Sequence, residues 1–583
     1  MNTFGAKKTS PLLTFLLIMG TALAYSSSFQ CPFLLDDDSM LQILSAPNVT
    51  LGKLITQGRP MLHLSFALNY ALTGTQVFSY HALNLMIHVC TSLVLFGLIR
   101  RTLLSPKLNA GYGDFSSGLA WTIALLWAVH PLQTQSVTYL TQRGESLMGL
   151  FYLLTLYSVA RSIESSERTG MRWMWPAILS SALGMATKEV MVTAPLLAIL
   201  YDRIFFSKSW RELLKKRVGM YLALCTTWIV LFATIIFRER LQMPVSAGFG
   251  LQGITPLAYL ISEPGVLLHY VRLAFWPRPL CFDYLWPVAE NFKDAALPAL
   301  VILIFFLGTV VGILQNSPLG FLGMSFFLIL APTSSVMPIK DLAAEHRMYL
   351  PLAAVLSSIV FGTFSLLNAR GIKKEKSFRL ILFAAIPFVI LFGVLTFQRN
   401  LDYKSAISIW EDTVRKRPKN YRAQNNLGAL LVNERRETEA RGRFEESLAI
   451  NPEYADAHVN LANLLATEEK QTDAINHYRE ALHLEPNNMS AHNNLANLLT
   501  GKRDFDEAIG HYREVLRLDP NNPYVHNNFG IALGKAGQLE ESIVEFKEAL
   551  KLKPDLSSAE RNLNIQKSKQ EVAGATSRSS PQL

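Results

Sequence analysis

Three consecutive carboxylates, Asp36, Asp37 and Asp38, follow the apolar triplet Phe33-Leu34-Leu35. A positioned carboxylate can take a proton from an attacking hydroxyl, and adjacent acids raise one another's pKa or share a divalent cation. A helix beginning near Met40 needs one capping side chain, which Asp38 or Ser39 supplies, so capping leaves Asp36 and Asp37 unexplained. Downstream, "QGRPMLHLSFALNYALTG" carries Arg59, His63 and Asn69, and "HALNLMIH" carries His81, Asn84 and His88 at i, i+3 and i+7, on one helical face. Polar groups on one face of a membrane helix point into protein, because lipid offers them no partner. Then come His130, Arg143 and Glu145 in "HPLQTQSVTYLTQRGESL", Lys188 and Glu189 in "TKE", and Glu345, His346, Arg347 and Tyr349 in "EHRMYLP". Carboxylates facing so many cations suit a phosphate group, which Arg holds in a fork and Lys as a point charge.

Apolar segments must position these residues. Half of the 583 residues are hydrophobic and only 17% are charged, with a mean hydropathy of +0.22, so much of the chain belongs in lipid. The ten surplus positive charges cluster at the ends of apolar segments, not in a patch suited to nucleic acid. About eleven spans are expected, at 12–28, 79–99, 117–135, 145–161, 173–187, 190–206, 218–237, 296–314, 319–336, 349–367 and 379–397. Lys7 and Lys8 favour a cytoplasmic start, and the inner loops then carry Arg100-Arg101, Lys215-Lys216 and Lys373-Lys374. Residues 256–276 hold Glu263, Pro264, His269 and Arg272 and read as an interfacial segment. This count puts the acidic stretch and the C-terminal region outside the cytoplasm. Four cysteines show no metal-ligand spacing; Cys31 and Cys281 share the outer side, where a disulfide is open to them.

The C-terminal third has a period of 34 residues, marked by Pro418, Pro452, Pro486, Pro520 and Pro554. That is the period of the tetratricopeptide repeat, a stacked helix–turn–helix unit. Small residues recur at Gly428, Ala462, Ala496 and Gly530 and at Ala440, Ala474, Ala508 and Ser542, and aromatics at Trp410, Phe444, Tyr478, Tyr512 and Phe546. The small positions let helices approach and the aromatic fills the groove. Residues 401–417 read as the second half of an earlier repeat. Asn426, Asn460, Asn494 and Asn528 share the period and form either an amide ladder for a peptide backbone or a set of local helix contacts. The helices resemble the array of O-linked N-acetylglucosamine transferase, which favours the peptide. The polar end from about 567 reads as disordered.

In order, "FLLDDDS", "GRPMLHLSFALNYALTG", "HALNLMIH", "HPLQTQSV", "QRGESL", "TKE", "PLLAILYD", "RMYLP" and the repeats resemble the transmembrane-and-tetratricopeptide-repeat O-mannosyltransferases and their bacterial relatives, of C-type glycosyltransferase fold. The resemblance implies a membrane enzyme that moves a sugar, mannose, from a polyprenyl-phosphate donor to Ser or Thr hydroxyls of a protein, with the repeats binding the acceptor. It places Asp36 and Asp37 as the paired acids, either of them the base of an inverting displacement, with a divalent cation as an alternative use of the pair. Arg143, Lys188, Arg347 and His130 are expected at the donor phosphate, and Arg59, His81, Asn84, His88, Glu145, Glu189 and Tyr349 around the site. Gln135 stands where many relatives have glutamate and is given no acid chemistry.

The expected fold is all-α: a polytopic membrane bundle over 1–400, a repeat domain over 401–566 and a disordered tail over 567–583. The setting is a bacterial inner membrane with periplasmic repeats, or an endoplasmic-reticulum membrane with lumenal ones. Two other classes compete: a membrane scaffold whose repeats recruit proteins without catalysis, and a transporter. No repeat relates the membrane halves to each other, which ranks transport last. Asn48-Val-Thr50 and Asn488-Met-Ser490 are formal glycosylation sequons.

Overall fold

The computed structural model describes residues 11–46, 50–56, 58–240, 248, 254–289 and 291–578. Lys7, Lys8 and Asn48 lie outside the described residues. Among those described the chain is all-α, with no strand, and it divides after Lys416 into two units.

Among the described residues of the first unit six helices are long and apolar enough to cross a membrane: Val77–Leu103, Leu140–Glu164, Trp210–Phe237, Phe292–Leu314, Pro351–Ala369 and Lys374–Asp402. Asn109–Ala128 and Pro131–Thr138, bent by 55°, make a seventh if they are one broken span. The chain is a multi-pass membrane protein. The expectation of about eleven spans is thereby lowered. Pro318–Leu330 is apolar but shorter than a bilayer requires, and the apolar helix Pro11–Ala24 begins at the first described residue. Residues 173–187 fall in Glu167–Met185, whose first turns are charged, and 190–206 break into a 3-10 turn at Glu189–Thr193 and the twelve-residue helix Ala194–Phe205. Residues 256–276 form one helix, Pro256–Phe275, packed against Phe292–Leu314 and Pro351–Ala369.

Small residues and polar side chains join these helices, as expected where lipid removes most of the hydrophobic drive. Gly312 and Gly320 meet backbone to backbone; a Cβ on Gly320 would lie 2.4 Å from the Gly312 carbonyl carbon. Phe292–Leu314 turns a row of large apolar side chains outward, among them Leu297, Leu300 and Ile304. Asn400 closes the unit: its amide donates to Ala24 O at 3.2 Å and its oxygen accepts from the Thr138 hydroxyl at 2.5 Å. One side chain thus joins the first helix, the last long helix and the bent segment.

The half-repeat helix Ala406–Lys416 lies within this unit, so the division falls sixteen residues beyond the boundary expected after residue 400. Trp410 packs edge-on to Phe282, and Lys416 donates to Leu280 O at 2.8 Å.

The second unit contains the expected repeats. Its helix pairs are Tyr421–Asn433 with Glu437–Ile450, Ala455–Thr467 with Gln471–Leu484, Met489–Lys502 with Phe505–Leu518, and Pro523–Lys535 with Leu539–Leu552. The periodic small residues do what their size predicts. A Cβ on Gly428 would meet the Phe444 ring at 2.6 Å, and one on Gly530 the Phe546 ring at 2.8 Å. Residues Ser557–Arg578 form a closing helix, which corrects the expected disorder from 567; Leu563 packs with Ile543 and Phe546, and residues 579–583 lie outside those described.

Candidate active site

The acidic stretch begins a helix, Asp36–Ser45, entered through Leu35 at a φ of 52°. The helix starts earlier than the sequence suggests, which moves Asp38 and Ser39 inside it and removes the capping role expected of them. The three acids then part company, because successive helical positions face different directions. Asp37 is 1% exposed, whereas Asp36 and Asp38 are exposed. Asp37 Oδ2 accepts the Leu34 N–H at 2.9 Å and Oδ1 accepts the Thr141 N–H at 2.8 Å. Burial pushes its carboxyl up to about 7, against the pull of those two donors. The Asp36 backbone N–H reaches the Tyr139 hydroxyl at 3.4 Å. Asp37 is therefore a strut between the acidic loop and the start of the Arg143 helix, and Asp36 keeps its carboxylate exposed, beside the Tyr139 hydroxyl.

The loop has its own small core, in which Met40, Leu44, Leu54, Leu62, Phe66 and Tyr80 cluster. The helix Pro60–Thr73 lies between the acidic helix and Arg143–Glu164. Arg143 is fully buried, and each of its three nitrogens has a partner: Nε donates to Asn84 Oδ1 at 2.5 Å, Nη1 to Ser65 O at 3.1 Å, and Nη2 to Tyr80 O at 3.2 Å. Its guanidinium also lies 4.2 Å from the Phe66 ring centre. This side chain clamps the loop helices together and presents no donor to a phosphate.

His81, Asn84 and His88 do share one face of Val77–Leu103, and each is spent on a joint. His81 Nε2 donates to Cys31 O at 2.8 Å, holding the segment that leads into the acids. Asn84 donates to Val137 O at 2.9 Å. His88 Nε2 meets the Ala128 carbonyl at 2.9 Å, which fixes that nitrogen as a donor and leaves Nδ1 to accept from the Tyr349 hydroxyl at 2.9 Å. His130 is likewise buried between Ala274 O and the Leu132 N–H. Cys31 and Cys281 are both free thiols, so the disulfide open to them is not formed. Cys31 Sγ points to Asn400 O instead.

Three cations remain, gathered around one histidine. Lys188 is buried in an ion pair with Glu145, and Arg59 faces Glu189 at 3.9 Å, both half-exposed. Arg347 donates to the carbonyls of Leu342, Thr333 and Asp341, pinning the loop before Pro351–Ala369. Between them lies His346, whose backbone N–H and Nδ1 contact Gln135 Oε1 at 2.9 and 3.0 Å. Burial and then the charges of Lys188, Arg347 and Arg59 hold its imidazole well below the usual histidine range. The sequence named His346 only as part of a motif and set Gln135 aside. Their pairing bridges positions 211 residues apart, which local spacing does not reveal.

Asp36 and Asp37 do not make a ready cation site, since both Asp37 oxygens already accept a backbone N–H. Among the described residues no group of three or more His, Cys, Asp or Glu is arranged to hold a metal.

In the repeats the asparagine ladder turns inward on itself. Asn460 donates to Asn425 Oδ1 at 2.9 Å, Asn494 to Asn463 at 2.8 Å and Asn528 to Asn497 at 3.3 Å. Each of these amides ties its repeat to the preceding one. Asn426, half-buried, begins the series.

The tetratricopeptide repeat family model matches residues 394–455, 438–482 and 459–523, and a second model of that description matches 511–544. The chain is 25% identical over 453 residues to the protein O-mannosyl-transferase Tmtc3 of Drosophila melanogaster, covering 67% of this chain and 47% of that one. It is 26% identical to human TMTC3, covering 65% of this chain and 43% of the relative, and 25% identical to human TMTC4, covering 66% and 56%. It thus spans about half the length of the curated relatives it matches. Among solved structures, YrrB, a TPR protein with an unusual peptide-binding site, matches with 21% identity and a TM-score of 0.25 over 27% of this chain and 80% of that one. The chain is accordingly a protein with tetratricopeptide repeats that resembles the TMTC O-mannosyl-transferases.

Proposed function

We propose that this chain is an integral-membrane glycosyltransferase that moves mannose from a polyprenyl-phosphate donor to a Ser or Thr hydroxyl of a protein. The observation that supports this reading is the split of the acid pair, one carboxylate locked in the loop and its neighbour exposed; the cations Arg59, Lys188 and Arg347 gather around His346. The names of the relatives supply mannose and the protein acceptor.

Asp36 accepts the acceptor's proton while the hydroxyl oxygen attacks the anomeric carbon. The bond from that carbon to the phosphate oxygen breaks, its electron pair leaves with the lipid phosphate, and the anomeric configuration inverts. No covalent sugar–enzyme intermediate is needed, and one general base suffices. Arg59, Lys188 and Arg347 are the cations suited to the departing phosphate, while His346, its Nδ1 donating to Gln135 Oε1, positions its loop. Arg143 and His130 act by building the walls. An apolar crevice of about 100 Å³, lined among others by Leu98, Leu156, Leu197 and Phe321, suits part of an isoprenoid chain.

The repeats present the acceptor. Amide oxygens and backbone along the asparagine ladder receive an extended peptide, the amide hydrogens being engaged between repeats. Site and repeats share the extracytoplasmic side, periplasmic or lumenal; a reporter fused after residue 570 tests that placement.

The direct test supplies radiolabelled polyprenyl-phosphate mannose and an unstructured Ser/Thr peptide to purified wild type and to Asp36→Asn. Transfer by wild type and its loss in the variant is expected. Equal labelling by both sinks the assignment, and peptide binding by wild type without any transfer turns the reading to a scaffold.

A further inference from the structure

A second polar cavity, of about 570 Å³, opens within the membrane unit at the C-terminal end of Lys374–Asp402. That helix contributes Leu395, Gln398, Arg399 and Asp402, which lie on one face at i, i+3, i+4 and i+7. The opposite wall comes from the loop after Pro256–Phe275, with Trp276 and Arg278, and the floor from the half-repeat helix, with Asp412, Arg415 and Lys416. None of these residues belongs to the acid pair or to the cations around His346.

The charge is unbalanced. Asp412, 3% exposed, accepts from Arg399 at 2.7 Å, Arg415 at 2.5 Å and Lys416 at 2.6 Å. Asp402 accepts from Arg399 at 3.0 Å. Four cations line the cavity against these two carboxylates. Glu345 lies behind Arg399, with Oε1 accepting from the Tyr284 hydroxyl and the Cys281 N–H and Oε2 without a hydrogen-bond partner, and counting it still leaves the cations in excess. A network meant only to bind itself would spend its donors. Arg399 is 5% exposed, yet its Nε and Nη2 have no hydrogen-bond partner. A roomy cavity lined by four cations and two carboxylates suits an anionic ligand.

The surroundings identify the kind of anion. Phe275 and Trp276 are 56% and 59% exposed beside the cavity, and Phe397 and Leu401 on the same long helix are 40% and 45% exposed. Apolar and indole side chains at the end of a spanning helix mark the level of lipid headgroups. We infer that this cavity binds the phosphate of an anionic membrane lipid, its headgroup between Arg278, Arg399 and Arg415 and its chains along the outward apolar side chains. The site is separate from the sugar-transfer centre and holds whether or not that centre is as proposed.

The test uses the delipidated full chain in neutral detergent, with phosphatidylglycerol, phosphatidylcholine and inorganic phosphate as probes. Binding is read by native mass spectrometry and by the shift in thermal unfolding. Because Arg399 is buried and bridges Asp402 and Asp412, the working variant is Arg278→Gln/Arg415→Gln, at two exposed positions, with Arg399 and Lys416 still holding Asp412. Phosphatidylglycerol should stabilise wild type and bind the double variant about thirtyfold more weakly, from about 1 kcal/mol per basic residue. Phosphatidylcholine should stabilise neither. Equal binding of phosphatidylglycerol to both proteins overturns the site, as does equal stabilisation by phosphatidylcholine. Inorganic phosphate matching phosphatidylglycerol at equal concentration overturns the lipid assignment. Donor KM in the transfer assay should not change in the double variant; a rise with lipid binding intact would make the cavity part of the donor path and refute the inference.

Discussion

Asp37 should make the membrane unit's stability depend on pH, and Asp37→Asn should remove that dependence. The carboxyl is 1% exposed and pushed up to about 7, whereas an unfolded Asp titrates near about 3.9. The native state therefore holds the proton more tightly than the unfolded chain does. Below about pH 4 both states are protonated and the contribution is fully present; it is lost progressively as pH rises through about 7. Three units at about 1.4 kcal/mol each give an upper limit of about 4 kcal/mol. The Leu34 and Thr141 N–H groups, which favour the ionised form, are already set against burial in that value. Thermal unfolding in detergent at pH 5, 6, 7 and 8, followed by tryptophan fluorescence, measures it. Wild type and Asp36→Asn should lose Tm together across that range, while Asp37→Asn loses less. Parallel profiles for all three proteins would refute the argument that Asp37 is a buried strut.

Three further outcomes follow from the geometry. Asp36→Asn should lower the transfer rate about 10²–10⁴-fold, the range for one general base, while leaving Tm within a degree of wild type. Arg143→Lys keeps the charge but loses the fork that joins Asn84, Ser65 and Tyr80, and a loss of about 3–5 kcal/mol is expected in denaturant unfolding. Gly428→Val drives a branched side chain into the Phe444 ring and should destabilise the repeats by about 1–3 kcal/mol or more, seen as a lowered helical melting transition; an unchanged transition would refute the packing argument.

What the sequence makes legible is what a fixed local period encodes. Helical pairs, their small positions and their aromatics follow from a 34-residue repeat, and the structure seats Phe444 and Phe546 against the glycines that spacing nominates. The shared face of His81, Asn84 and His88 follows from 3.6 residues per turn. The partners of those side chains do not, because Tyr349 reaches His88 across 261 positions and Thr141 reaches Asp37 across 104. Span counting fails for a related reason. A window of apolar residues does not register that the chain breaks at Glu189–Thr193 or bends by 55° near His130. Those breaks are where Lys188 and the Pro131–Thr138 segment enter the site.

The same distinction separates a residue's charge from its availability. Arg143 and Arg59 look alike in sequence, each beside a loop motif, yet one is wholly buried with its donors spent and the other is half-exposed opposite Glu189. Asp36 and Asp37 differ in the same way at adjacent positions. Burial turns one ionisable group of each pair into part of the frame and leaves the other able to meet a substrate. On the proposed reaction, which needs one base and a patch of positive potential, Asp36 is the base and Asp37 contributes by holding its loop still.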